Sequence, residues 1–214
     1  MVDYWPDLYE DPYALKRLKQ SVALADIKKG HSVLDVGGHK GEARKLMPEV
    51  NYVCLDAFWG HDIDGGFMLG QKFDRILCLE TLEHLKYPRK TLRSIVNYLK
   101  DDGLCVVSLP NEATLFHRLR CILGTVDGES FSESGKHLHL PNTRQANQFL
   151  EQFVSVKKSV PYLNLSGAGS RQQRFLKYLE LIPSAIWQVL LKGSPSLFAR
   201  GTIFVCQKKR PSMI

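Results

Sequence analysis

The stretch Val33-Leu34-Asp35-Val36-Gly37-Gly38-His39-Lys40-Gly41, followed by Asp56 twenty-one residues after Asp35, decides the fold. Ser32 to Val36 is a short apolar run that reads as a strand. The glycines after it make a tight turn, and Glu42 to Met47 continues as a helix until Pro48. Glycines at a strand-to-helix turn let a ligand approach the backbone. A carboxylate ending the next strand, here Asp56 after Asn51 to Leu55, can accept two hydrogen bonds from ribose hydroxyls. The pattern predicts a nucleoside site of adenosine type at the ends of the first two strands.

Outward from this unit the alternation of strand and helix continues. Residues 12–27 place Leu15, Leu18, Val22 and Ala25 near helical spacing and close on Lys28-Lys29-Gly30. A glycine-containing loop leads to a third strand, Phe73 to Leu79. Arg89 to Lys100 follows as a helix, and Asp102-Gly103 turns the chain into a strand from Leu104 to Leu109, stopped by Pro110-Asn111. Asn142 with Gln145 predicts a capping box for a helix carrying Ala146, Phe149, Leu150 and Phe153 on one stripe. Val154 to Val160 and Thr202 to Gln207 read as strands, and Arg171 to Ala199 as one or two helices broken at Pro183. Continuous apolar strands between helices indicate an α/β fold with a parallel sheet covered on both faces.

With no repeat or linker, residues 1–214 form a single domain, with a cofactor-binding half at 12–110 and substrate-side insertions at 111–140 and 164–200. A chain of 214 residues with 44% hydrophobic side chains is long and apolar enough to bury a core, which excludes disorder. The formal charge of +7 hides an asymmetry. Residues 1–140 carry 18 basic and 20 acidic side chains, and residues 141–214 carry 11 and 2. Five cysteines without a CxxC pair exclude a disulfide framework and a zinc knuckle. The longest strongly apolar run, Leu181 to Leu191, falls short of the roughly 18 to 20 residues that span a bilayer. With no apolar leader near Met1, the expected location is cytoplasmic.

Taken together, these blocks resemble the class I S-adenosylmethionine-dependent methyltransferases. Val33 to Gly41 resembles the family's first motif, and Asp56 its second-strand acid. Phe73 to Leu85 resembles the fourth-strand block, and Leu99 to Asn111 the fifth. The Leu82-Glu83-His84 tail is similar to the branch that includes quinone-biosynthesis O-methyltransferases and methyltransferases of glycan and secondary-metabolite clusters. The resemblance implies a Rossmann-like, doubly wound, mostly parallel sheet of seven strands with an antiparallel last strand, and S-adenosylmethionine as cofactor. It implies Asp35, Gly37, Gly38 and Gly41 around the methionine part, Asp56 on the ribose, Asp62 and Ile63 at the adenine, Leu79 and Glu80 as the floor, and Ala57 as a further cofactor contact. The chain departs from the pattern at His39, where glycine is usual.

A sulfonium methyl is already activated, so a general base is needed mainly for a hydroxyl acceptor. His84, His137 and His139 are the candidates, Asn111 joins His137 as a substrate contact, and no metal is expected. The Cys78-Leu79-Glu80-Thr81 strand end lacks the Pro-Pro-aromatic signature of enzymes acting on base amines. Nucleic acid is therefore the lesser partner. The expected acceptor is a small or carrier-linked molecule of glycan or lipid type, methylated at oxygen. The basic last third is suited to an anionic membrane or a phosphorylated substrate. Two rival readings share the glycine turn: a nicotinamide-dependent oxidoreductase, and a non-catalytic adaptor in which His39 has closed the pocket.

Overall fold

Six strands run through the described residues: β1 (Ser32–Val36), β2 (Asn51–Leu55), β3 (Phe73–Leu79), β4 (Leu99–Pro110), β5 (Val154–Tyr162) and β6 (Gly201–Lys208). In the computed structural model, which describes residues 12–124, 137–163 and 183–209, they form one sheet in the order β2-β1-β3-β4-β6-β5. β1 to β4 pair in parallel, and β6 runs antiparallel to both β4 and β5. The α-helices among the described residues are α1 (Pro12–Leu24), α2 (Pro88–Tyr98), α3 (Leu115–Ile122), α4 (Thr143–Glu151), α5 (Ser184–Gly193) and α6 (Pro195–Phe198).

Alternate residues of each strand feed the two faces. Leu34, Ile76, Val107 and Phe204 pack with Leu92 and Ile95 of α2 and with Ala146 and Leu150 of α4. Val33, Leu77, Val106 and Ile203 pack with Leu18 and Val22 of α1 on the other side. Both faces are thus dry, which is why the strand sequences are continuously apolar rather than alternating. The capping box at Asn142 and Gln145 forms with both of its hydrogen bonds.

Three expectations need correction. The seven strands come to six among the described residues, because residues 56–72 between β2 and β3 form turns around Gly60, Gly65 and Gly66 and leave β2 as the edge. The helix expected over Glu42 to Met47 is one 3-10 turn, Glu42–Leu46, too close to Pro48 to extend. The strand expected from Leu104 begins at Leu99, with residues between Leu99 and Leu104 bulged out of register against Phe73 and Arg75. Residues 125–136 and 164–182, parts of the two expected insertions, lie outside the described residues.

Because β1 lies between β2 and β3, the connections after it diverge to opposite sides. A crevice then opens at the carboxyl ends of β1 and β3, the place where open α/β sheets bind ligands. The register Pro110 to Gly201 brings the chain entering β6 to the same end of the sheet.

Candidate functional site

At the end of β1, Gly37 adopts φ +75°, and its N–H donates to the Leu55 carbonyl at 2.7 Å. A Cβ there would strike the Thr81 side chain. A Cβ on Gly38 would lie 2.5 Å from Asp35 Oδ2 and 2.9 Å from Cys54 Sγ. Glycine at these two positions lets the turn close over the ends of β2 and β3. His39 takes φ +49°, a left-handed conformation that glycine adopts freely and other residues reach at a cost of roughly 1–2 kcal/mol. Two hydrogen bonds hold it there. Its N–H donates to Asp56 Oδ2 at 2.9 Å, and its carbonyl accepts from Trp59 Nε1 at 2.8 Å. The imidazole packs against Phe58 with centroids 5.1 Å apart, and its Nδ1 lies 3.6 Å from Glu42 Oε1.

Asp56 therefore organises the loop itself, since its Oδ1 also accepts from the Phe58 N–H at 2.8 Å. Asp35 is 3% exposed and accepts from the Tyr52 hydroxyl at 2.5 Å. Burial raises its carboxyl to about 6, with the Tyr52 bond opposing and the nearby Asp56 and Glu42 assisting.

Ala57, Asp62 and Ile63 meet in one cavity of about 420 Å³, completed by Gly60, His61, Asp64 and Leu85. Its size is that of a small-ligand site. Asp64 fixes the wall by accepting from the N–H groups of Lys86 at 3.0 Å and Tyr87 at 2.6 Å, and Thr91 Oγ1 donates to the Ile63 carbonyl at 2.6 Å. A second cavity, of about 410 Å³, lies between α4 and the β5/β6 edge and shares no residue with the glycine loop. Leu79 is half-buried at the end of β3. Glu80, at φ +49°, is held by Ser108 Oγ at 2.8 Å, Tyr162 Oη at 3.1 Å and Arg17 at 3.6 Å.

Beyond Glu80 the ends of β3 and β4 gather a second cluster. His84 and His137 stand edge to face with centroids 4.8 Å apart. His137 Nδ1 lies 2.8 Å from Glu112 Oε1, whose carboxyl is held below its ordinary range by that hydrogen bond and by Arg200. Glu83 beneath them is 1% exposed, and its carboxylate oxygens have no hydrogen-bond partner. Burial and then the neighbouring Glu80 push its carboxyl well above the usual range, so it is neutral near pH 7. Ligand atoms of Glu83, His84 and His137 all lie within 4.8 Å of one another, a spacing that would suit a metal ion only with Glu83 ionised.

The other two expected residues sit differently. His139 is exposed, and its Nε2 donates to the Leu85 carbonyl at 3.0 Å, which pins residues 137–140 over the start of the β3 exit. Asn111 is fully buried. Its amide donates to the carbonyls of Ala199 at 2.7 Å and Ser196 at 3.1 Å, and its Oδ1 accepts from Ala113 N–H. It fastens the segment before β6 and presents no free group to a ligand.

Sequence reasoning passed over Tyr52, Glu83, Glu112 and Arg200. Tyr52 had a signal: pairing Asp35 with Cys54 puts Tyr52 two residues back on the same face, within diagonal reach. Glu112 and Arg200 had none, being brought together by the antiparallel return of β6.

A family model described as a methyltransferase domain matches residues 8–153. The ubiquinone biosynthesis O-methyltransferase of Glaesserella parasuis is 41% identical over 49 residues, which are 23% of this chain and 21% of that protein. The match thus spans about a fifth of that relative's length. The N-methyltransferase NodS of Bradyrhizobium japonicum, solved with S-adenosyl-L-homocysteine, superposes with a TM-score of 0.58 at 14% identity, covering 95% of this chain and 91% of that one. A putative methyltransferase of Bacillus halodurans superposes at 0.59 with 14% identity over 92% of this chain and all of its own. At such identity the superpositions establish the fold.

Proposed function

The chain belongs to the class I S-adenosylmethionine-dependent methyltransferase family, and on that premise we propose that it methylates a hydroxyl group of a small or carrier-linked acceptor at the ends of β3 and β4. S-adenosylmethionine is the cofactor, and when bound it supplies a sulfonium-activated methyl group. The residues fit it. The cavity lined by Ala57, Asp62 and Ile63 has room for the adenine. Each Asp56 oxygen has a lone pair beyond the one given to its backbone N–H partner, enough to accept from the ribose hydroxyls. Asp35, Gly37, Gly38 and Gly41 close the methionine end, and Leu79 with the restrained Glu80 forms the floor.

The observation that carries oxygen as the acceptor atom is the pair His137 and Glu112, 2.8 Å apart. A carboxylate on Nδ1 fixes the ring orientation and the tautomer, which leaves Nε2 with a free lone pair. With the cofactor bound, a hydroxyl acceptor that takes its methyl group would give its proton to Nε2 of His137. His84 packs against that ring and lines the same approach. Glu83, neutral and buried, adds no second negative charge there. The short likeness to an O-methyltransferase supports the same reading.

Family membership replaces the nicotinamide reading. The left-handed His39, its ring turned onto Phe58, counts against a loop closed by that side chain. The test has two stages. Calorimetric titration is expected to show binding of both S-adenosylmethionine and S-adenosylhomocysteine, and no heat with either overturns methyl transfer. Incubating cell extract with methyl-labelled cofactor is then expected to place the label on oxygen in a small-molecule, glycan or lipid fraction. Label on nitrogen or on RNA would overturn the acceptor assignment.

A further inference from the structure

Most of the large apolar side chains left exposed among the described residues gather at one end of the sheet. Leu115, Leu119 and Ile122 of α3 and Leu123 at its C-cap follow the i, i+4, i+7, i+8 spacing of a single helical stripe, and Ile122 is 80% exposed. A stripe with that period ordinarily faces a core. This one faces outward. On α5, Ile186 and Val189 stand one turn apart, the second 70% exposed. Leu138 and Leu140, on either side of His139, add two more exposed side chains.

The three segments share one end of the fold. α3 follows the last residues of β4, and α5 and α6 lead into β6, whose Gly201 pairs with Pro110. Asn111 ties the two by donating to the Ala199 and Ser196 carbonyls, and the Leu138 N–H donates to the Glu83 carbonyl at 2.8 Å. This is the end that carries His84 and His137. Among the described residues, the exposed charges on these helices are basic. Neither α3 nor α5 contains an Asp or Glu, whereas Arg118, Lys192 and Arg200 are exposed on or beside them. Neither the cavity at 57–64 nor the one beside α4 is lined by these apolar residues, so they form no socket there for a partner's side chain.

We propose that this end of the molecule docks on the surface of an anionic lipid bilayer. The stripes of α3 and α5 lie at the boundary of headgroups and acyl chains, and Arg118, Lys192 and Arg200 meet lipid phosphates. Apolar stripes on separate short helices suit a fluid surface, and basic residues beside them select an anionic one. The mouth of the acceptor site then opens toward the bilayer. That consequence rests on the methyl-transfer reading above, but the docking does not.

The test is flotation of the full chain with phosphatidylcholine vesicles and with the same vesicles containing phosphatidylglycerol. The wild type is expected to float with the phosphatidylglycerol vesicles and to be partly released by salt. Leu119→Asp combined with Ile122→Asp is expected to reduce the bound fraction about tenfold or more. Val189→Asp, on the other helix, should reduce it independently, and each variant should keep wild-type circular dichroism and affinity for S-adenosylhomocysteine. Failure of the wild type to float, or equal flotation of the variants, overturns the docking. A lipid-free oligomer that the Asp variants dissolve would assign the stripe to a second copy and overturn it as well. Cofactor binding without flotation refutes the docking alone, and flotation without cofactor binding refutes methyl transfer alone.

Discussion

Replacing Tyr52 by Phe isolates the contact that holds the buried Asp35. The hydroxyl donates to Asp35 Oδ2 at 2.5 Å, and the carboxyl, 3% exposed, is raised by burial from 3.8 to about 6 despite that bond. A carboxyl raised on folding binds its proton more tightly in the native state, so stability falls as pH rises from about 4 to about 6, by about 3 kcal/mol, and is level above. A hydrogen bond to a charged acceptor is worth about 1.5–3 kcal/mol against about 1 kcal/mol to a neutral one, so its loss raises Asp35 further, by about half a pH unit to one and a half. The variant therefore goes on losing stability up to about pH 8, where the wild type has levelled off. Near pH 5 Asp35 is neutral in both chains, and the deficit is that of an ordinary hydrogen bond, about 1 kcal/mol. Near pH 8 it grows to about 1.5–3 kcal/mol. Tyr52 itself stays a donor throughout, because burial and then Asp35 push its phenol upward. Paired urea titrations at the two pH values read the difference, and titrations common to both chains cancel. Equal deficits at both values would refute the account of Asp35.

Four further outcomes are expected. Asp56→Ala should weaken S-adenosylhomocysteine binding by about 1.5–3 kcal/mol in calorimetry, and unchanged affinity would place the ribose elsewhere. His39→Gly should keep or raise that affinity, since glycine reaches φ +49° freely; a loss would mean that the imidazole itself holds the cofactor. His137→Ala should lower kcat by about 10²–10⁴-fold with cofactor affinity retained, and an unchanged kcat would remove it as the base. Asn111→Ala should cost about 2–3 kcal/mol in a denaturation experiment, because it leaves the buried carbonyls of Ser196 and Ala199 without their donor. Intact stability with a raised KM would return Asn111 to the substrate.

How far the site could be read from the sequence follows from how far along the chain each contact reaches. The glycine turn and Asp56 lie within 21 residues, inside one strand-turn-strand unit, and Ala57, Asp62 and Ile63 follow Asp56 directly into their cavity. Local backbone chemistry decides such a unit, as it decides the capping box at Asn142. The strand count among the described residues differs for the opposite reason. The resemblance supplied a seventh strand, whereas residues 56–72 have too little apolar sequence between their glycines to make one.

The acceptor side joins parts that lie far apart in the chain. His137 reaches Glu112 across 25 residues, His139 reaches the Leu85 carbonyl across 54, and Asn111 reaches Ala199 across 88. No period of 2 or 3.6 carries information over such separations. An Asn after a strand-ending Pro looks the same in sequence whether it meets a ligand or the chain's own carbonyls, and only the β4–β6 register distinguishes the two. His137 and His139 read alike for the same reason, although one meets a carboxylate and the other a main-chain carbonyl. On the proposed reading, local motifs fix the cofactor half, whereas the return of the chain through residues 137–140 and 195–201 fixes the acceptor half. Changes there would alter what is methylated while leaving the cofactor cleft in place.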